Sequence, residues 1–286
     1  MEHSDPAPLQ LNQHASVESF ALSVGLKLEG AEAENGLLLG MIEVCRTKPD
    51  PVPFMAEIIG AKGIEAVAFY RDLNLILTRG PANAWPLLVE KLLELNYEIP
   101  GVIGPAEASE GFARAWAAAK GCQLKLSMDQ GLYQLNEVFP PVGIAGEARL
   151  ASQADLDLLA EWSHGFYQDA LPWELPGKEE IHASTLARIQ GRSLYLWEAK
   201  GEPVAMTALA RPTARGISVN SVYTPPAHRK RGFATALVAA VSAEGLARGK
   251  KFCVLYTDLQ NPTSNAIYQK VGYRLVCNTR NYTFRY

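Results

Sequence analysis

The sequence predicts a mixed α/β protein of two domains. Three observations predict it. Strand-like alternation and helix-like spacings of three and four succeed one another through both halves of the chain. The stretch "NEVFPPVGIAGEARLAS", residues 136–152, interrupts both periods with a double proline, glycines and small residues. A strand–turn–helix pattern at 102–121 recurs at 222–241, as a duplicated fold would have it. The 286 residues, 48% hydrophobic and 20% charged, suffice for two ordinary cores. The expected division is 1–138 and 139–286, with residues 1–15 flexible.

In the first half, 16–24 and 31–45 read as helices, the second interrupted at Glu34-Asn35-Gly36. Residues 66–70 and 73–78 read as strands across Arg71-Asp72, and 85–95 is an amphipathic helix. Residues 123–128 and 132–138 read as closing strands around Asp129-Gln130-Gly131. In the second half, 153–168 and 178–190 are expected helices. Strands follow at 194–199, 204–211, 217–224, 252–257 and 273–278, with a helix at 232–248 and a short one after Asn261.

Several classes of function are disfavoured. A net charge of −3 does not suit a protein whose main partner is nucleic acid or an anionic membrane. The opening "MEHSDPAPLQLNQHAS" lacks the apolar core of a signal peptide, and no apolar run reaches the roughly 18 residues of a membrane span. Cys45, Cys122, Cys253 and Cys277 are scattered, without the close pairs of a zinc or redox site. The expectation is a cytosolic, metal-free protein.

The most informative stretch is "SVYTPPAHRKRGFATAL", residues 221–237. A strand rich in β-branched and aromatic residues stops at Pro225 and Pro226, which cannot extend a ladder. From Gly232 the apolar residues Phe233, Leu237, Ala240 and Val241 take helical spacing. Arg229, Lys230 and Arg231 therefore precede a helix N-terminus, with its unpaired N–H groups and partial positive charge. Three cations alone usually mean a solvated turn. Here they stand beside free amides, which together make a phosphate seat. Neither the dinucleotide glycine fingerprint nor the triphosphatase phosphate loop is present. In the proposed repeat, Ala108, Ser109 and Glu110 stand where the second copy has its cations, so the first copy is expected to lack phosphate chemistry.

A second motif lies in "YTDLQNPTSNAIYQKVGY", residues 256–273. Asn261 followed by Pro262 has the form of a helix start, and Gly272 of its end. Asn261, Asn265 and Tyr268 share one helical stripe, although a capping Asn261 and a packing Tyr268 would explain it as well.

Taken together, the Arg229, Gly232 and Ala234 turn resembles the Arg/Gln-x-x-Gly-x-Gly/Ala signature of the GNAT superfamily of acetyl-CoA-dependent N-acyltransferases. The segment from Asn261 through Tyr268 to Gly272-Tyr273 resembles that superfamily's second coenzyme A motif. The close match covers about half of 139–286, and the strand order extends it over 148–286. The first half resembles the degenerate copy of two-domain members. The resemblance implies a GNAT fold in tandem, each copy a central, mostly antiparallel mixed sheet flanked by helices. It implies that the amides of Arg231, Gly232, Phe233, Ala234 and Thr235, with Arg229 and Lys230, hold the coenzyme A pyrophosphate. Pantetheine would pair with the strand at Val222, Tyr223 and Thr224, and Asn261, Asn265 and Tyr268 would complete the coenzyme site.

The implied function is acetyl transfer from acetyl-CoA to a primary amine of a small molecule, amino acid or peptide. Tyr268 matches the family's general acid. Family members often carry a glutamate on the fourth strand, but "GISVNSVYT" has no carboxylate. Ser218 and Asn220 are candidates to hold a water that removes the proton, and His164 is a further candidate base. Tyr167, Asp169, Trp173 and Glu174 fall where the family places its acceptor lid. The missing carboxylate motivates an alternative, a non-catalytic coenzyme A-binding regulatory module.

Overall fold

The computed structural model describes residues 8–47, 51–171 and 175–286. It contains two compact units. The first comprises Met1–Leu132, Asp258–Gln260 and Leu275–Tyr286; the second comprises Tyr133–Thr257 and Asn261–Arg274.

The first unit runs β1 (Gln10–Gln13), α1 (Val17–Gly30), α2 (Glu32–Thr47), β2 (Phe54–Gly60), β3 (Gly63–Tyr70), β4 (Leu75–Leu77), α3 (Ala84–Glu94), β5 (Gly101–Pro105), α4 (Ala106–Lys120) and β6 (Gln123–Leu135). Gln10–Gln13 is ordered as an edge strand antiparallel to β2, so the expected flexibility of 1–15 does not hold there. The side chain of Ser16 caps α1 by accepting from the Ser19 amide at 3.2 Å, and Val17, Phe20, Val24 and Leu28 bury its inner face. Helix α2 runs through Glu34-Asn35-Gly36 without a break. A mid-helix glycine costs about 1 kcal/mol relative to alanine. Burial of Leu38, Ile42 and Cys45 along the same helix, with Asn35 Nδ2 donating to Leu28 O at 3.1 Å, outweighs that cost. The expected turn at Asp129-Gln130-Gly131 is also absent, and β6 is one strand of 13 residues. Asp129 O accepts the Leu259 amide at 3.0 Å, and its carboxylate faces Arg280 at 3.5 Å. These contacts hold the segment extended.

The second unit runs β7 (Glu147–Leu150), a short 3-10 turn (Gln153–Asp155), α5 (Leu156–Ala170), α6 (Lys178–Gln190), β8 (Leu194–Ala199), β9 (Glu202–Ala210), β10 (Gly216–Tyr223), α7 (Phe233–Ala247), β11 (Phe252–Asp258) and α8 (Pro262–Val271); β12 (Arg274–Arg285) ends the chain. Leu237, Val238 and Val241 of α7 pack with Ile217, Val219 and Leu255 on one face of the sheet. Leu159 and Trp162 of α5 pack with Leu196, Met206 and Ala208 on the other.

The order strand, two helices, three strands, helix, strand, helix, strand is the same in the two series β1–β6 and β7–β12. Each has a parallel pair, β4 with β5 and β10 with β11, after a run of antiparallel pairs, β1–β2–β3–β4 and β7–β8–β9–β10. The duplication is therefore real, but its register differs from the expected one. Residues 102–121 are β5 and α4, whose counterparts are β11 and α8. The counterpart of the 222–241 turn is "LTRGPANAW", between β4 and α3. Ala108, Ser109 and Glu110 thus do not correspond to Arg229, Lys230 and Arg231; the N-cap place that Gly232 holds before α7 is taken by Asn83 before α3. The similarity of two apolar strand–helix units hid a slip of one unit.

The last strand of each series is not in the unit that its order suggests. Residues 275–285 of β12 belong to the first unit, pairing antiparallel with β5 from Thr279↔Pro105 to Thr283↔Gly101. Tyr133 and Leu135, at the end of β6, lie in the core of the second unit.

Candidate active site

The site in the second unit begins where two strands part. β10 and β11 pair in parallel at Gly216↔Phe252, Ile217↔Cys253 and Ser218↔Val254. Both strands continue, to Tyr223 and Asp258, without further pairing between them. A wedge opens beyond Ser218, and side chains on its α5/α6 face follow from strand alternation. Ala208 pairs with Asn220 and belongs to the α5/α6 core, so Asn220 faces that side.

A bulge then re-aims the strand. Against β9, Asn220 pairs with Ala208 and Tyr223 with Met206, so Ser221 and Val222 stand opposite Thr207 alone. Ser221 takes a left-handed φ of 52°, and Thr207 Oγ1 donates to Asn220 O at 2.9 Å. As a result Val222 packs with the α7 side, while Tyr223 packs with the α5/α6 side. Gly165 of α5 gives Tyr223 room, since a Cβ there would lie 2.5 Å from the tyrosine hydroxyl.

Past Thr224 the chain forms a short 3-10 turn (Pro226–His228) and enters α7. Lys230 has φ 63° and Gly232 φ 82°. Gly232 is the N-cap and no side chain caps the helix. The first turn bond runs from the Ala236 amide to Gly232 O, at 3.0 Å. The amides of Phe233, Ala234 and Thr235 thus have no helical partner, and they suit an anion. Thr224 Oγ1 and His228 Nδ1 are buried without hydrogen-bond partners beside this turn.

Arg229 and Arg231 have different partners. Arg229 Nη2 meets Asp169 Oδ2 at 2.6 Å, and its Nε donates to Thr224 O at 2.9 Å. Its guanidinium also lies 5.8 Å from the Tyr223 ring centre. Arg229 therefore ties the turn to the end of α5 through an exposed pair, which contributes little stability by itself. The Arg231 guanidinium lies 4.8 Å from the Phe233 ring centre, at the mouth of α7.

On α8, Asn261 Oδ1 accepts the Ser264 amide at 3.1 Å, which makes this residue the helix cap. Tyr268 is buried and meets Tyr273 edge-on, ring centres 6.2 Å apart. Burial pushes its phenol up to about 12. Tyr268 therefore keeps its proton throughout the neutral range. Tyr273 is held apart by its hydroxyl contact with Ser242 Oγ at 2.8 Å.

Ser218 is buried and Asn220 half-buried on the same strand, and Asn220 Oδ1 is buried with no hydrogen-bond partner. His164 is placed elsewhere. It lines a groove of about 360 Å³ between α5 and α6, with Asp157, Glu161, Lys178 and His182. The structure does not bring it to the strand opening. Tyr167 stacks edge-on with Phe166 near the end of α5. Trp173 and Glu174 lie outside the described residues.

Three residues near the opening were not singled out from sequence: Arg188 of α6, Arg211 after β9 and Tyr256 of β11. Arg188 Nη1 donates to Ser221 Oγ at 2.9 Å. Sequence carried no sign of these positions, because they come from three elements far apart in the chain, α6, the end of β9 and β11.

Residues 156–273 match the model of the acetyltransferase (GNAT) family. The second unit thus carries a GNAT acetyltransferase domain. Solved structures resemble nearly the whole chain. An acetyltransferase of the GNAT family from Colwellia psychrerythraea is 12% identical with a TM-score of 0.60, covering 96% of this chain and 98% of that one. A Drosophila protein is 14% identical with a TM-score of 0.66, covering 98% and 99%. A tandem GNAT protein from the clavulanic acid biosynthesis pathway is 12% identical with a TM-score of 0.55, covering 97% and 98%. The fold is the GNAT fold in tandem. No curated protein matches the sequence.

Proposed function

We propose that the second unit transfers the acetyl group of acetyl-CoA to a primary amine of a small molecule, amino acid or peptide. The observation that carries this reading is the strand opening beyond Ser218 and Val254, followed directly by the uncapped amides of the Gly232 turn. The amides of Arg231, Gly232, Phe233, Ala234 and Thr235 would hold the pyrophosphate. The unpaired edge of β10 at Val222 and Tyr223 would bind pantetheine as an added strand.

The transfer joins the neutral amine nitrogen to the thioester carbon, and the carbonyl oxygen becomes an oxyanion. A backbone amide at the Val222 bulge would donate to it, an interaction worth a few kcal/mol when preorganised. Collapse breaks the C–S bond and the sulfur leaves as thiolate. Tyr268 is the proposed donor to that sulfur. Full proton transfer from a phenol near 12 to a thiolate whose acid is near 8.5 is uphill by about 5 kcal/mol. Its part is therefore a hydrogen bond that strengthens as charge develops on sulfur. The amine proton has no carboxylate on β10 to receive it. Asn220 Oδ1, with Ser218 behind it, is the acceptor for a water that carries the proton outward.

That missing carboxylate favours the second reading, a coenzyme A-binding regulatory module without catalysis. The first unit is proposed to be non-catalytic, since the turn between β4 and α3 has one cation, Arg79, where the turn before α7 has three, and Arg79 is paired with Glu34 at 2.8 Å. A cytosolic site of action is part of the same proposal; no helix among the described residues is long and apolar enough to cross a membrane. The test is a panel of amines with acetyl-CoA, following release of free thiol. Steady release with one class of amine supports the enzyme; binding of coenzyme A with no release for any amine favours the module.

A further inference from the structure

Two guanidinium groups lie close to one another near the strand opening. Arg188 comes from the C-terminal half of α6 and is fixed by its bond to Ser221 Oγ at 2.9 Å. Arg211 follows the last residue of β9, and its left-handed φ of 43° departs from the strand's alternation. Its Nε is buried and has no hydrogen-bond partner. Among the described residues neither arginine forms an ion pair with a carboxylate. Burial and the nearby positive charge of Arg188 both push Arg211 below the usual guanidinium range, against an opposite effect from the Tyr256 phenol.

A buried guanidinium without an anion is expensive, and a second one close by raises the cost. Arg188 is bonded to Ser221, the residue after Asn220, and Arg211 lies within electrostatic reach of Arg188 and of Tyr256, two positions past Val254 on β11. An anion arriving with the acceptor would supply the missing partner, and guanidinium forks match planar or tetrahedral oxyanions with paired N–H groups.

We propose that Arg188 and Arg211 form a subsite for an anionic group on the acceptor, so that the enzyme's amines carry a carboxylate or a phosphate. The inference rests on the acyltransferase reading and narrows it. Purely cationic amines are repelled by the same two charges that hold the anion, and neutral amines gain nothing from them.

The experiment uses the full-length protein saturated with coenzyme A, and reads melting temperature on addition of N-acetyl amino acids, N-acetylphosphoethanolamine and the corresponding neutral amides. The anionic compounds are expected to raise it by at least several degrees and the amides not at all. Arg211→Gln should abolish the shift, while Arg211→Lys should restore part of it. In parallel, thiol release with amino acids, phosphoethanolamine and amino acid amides should favour an anionic amine by ~10²-fold in kcat/KM, lost in Arg211→Gln mainly through KM. A carboxylate response without a phosphate response, or the reverse, identifies the group. Equal shifts from amides, or an undiminished shift in Arg211→Gln, overturn the subsite. Absence of thiol release for every amine overturns the acyltransferase reading instead, while the melting shifts still decide the subsite. Should Arg211→Gln fail to fold, Arg188→Gln takes its place with the same expectations.

Discussion

Arg188 Nη1 lies 2.9 Å from Ser221 Oγ, and Ser221 is the left-handed residue that bulges β10. The bond joins α6 to the point where the strand turns its amide edge towards the opening. Whatever Arg188 holds is thereby fixed relative to Val222.

Ser221→Ala retains a Cβ and the bulge but removes this anchor. One hydrogen bond to a charged group in a half-open site contributes about 1 kcal/mol net. KM for the acceptor is expected to rise roughly two- to tenfold, with coenzyme A affinity unchanged. Steady-state kinetics and a coenzyme A titration check both parts.

Tyr268→Phe keeps the ring in its core position and removes one hydroxyl. Because burial holds that phenol near 12, the variant should not alter the pH profile between 6 and 9. It should lower kcat by ~10²-fold with coenzyme A affinity intact, the pattern of an interaction made in the transition state. Unchanged kcat would assign Tyr268 to packing alone.

Much of this was legible in the sequence. The helices at Lys178–Gln190 and Phe233–Ala247 and the strand at Leu194–Ala199 announced themselves through period and flanking glycines. So did the Gly232 turn, because proline, cations and glycine each constrain the backbone in a known way. Strands β1, β7 and β2 were missed; the first two are short edges, and the third is buried along most of its length with no alternation to read. The interruption expected at Gly36 and the turn expected at Gly131 failed for one reason. Local propensity of about 1 kcal/mol yields to tertiary contacts. Arg188, Arg211 and Tyr256 were invisible because they come from three elements distant in sequence, α6, the end of β9 and β11, with no local spacing to link them.

The strand memberships predict how the chain can be cut. A fragment of residues 139–286 loses Tyr133 and Leu135 from the second core and leaves Tyr282 and Phe284 without the first core. It is expected to be unfolded or to melt well below the full chain. A fragment of residues 123–274 retains the first pair and omits the second, and it should show a cooperative melt where the other does not. Equal circular-dichroism melts of the two would refute the strand assignment.

Asp155 gives the second unit a pH-dependent contribution. Arg149 donates to both its oxygens at 2.9 and 2.8 Å, and the Ser152 amide and hydroxyl each donate at 2.8 Å. Its carboxyl is held at about 2, against 3.8 ordinarily, chiefly by Arg149. A depressed carboxylate stabilises the fold above its unfolded value and loses that contribution as pH falls through 4 towards 2. Asp155→Asn should cost about 2 kcal/mol at pH 7 and little at pH 2. Denaturant midpoints of the two proteins at both pH values check this.

The central claim is that the turn before α7 seats the pyrophosphate of acetyl-CoA. Gly232 holds φ 82°, and a Cβ there would lie 2.5 Å from Ile144 Cδ1, so Gly232→Ala disturbs the amides without touching a charge. Arg231→Glu reverses a charge at the same mouth and leaves the backbone alone. Calorimetric titration of acetyl-CoA into the full-length protein and these two variants is the direct measurement. The account predicts saturable binding at one site, weakened at least tenfold by either change. No binding to the unaltered protein, or equal affinity in all three, would contradict it.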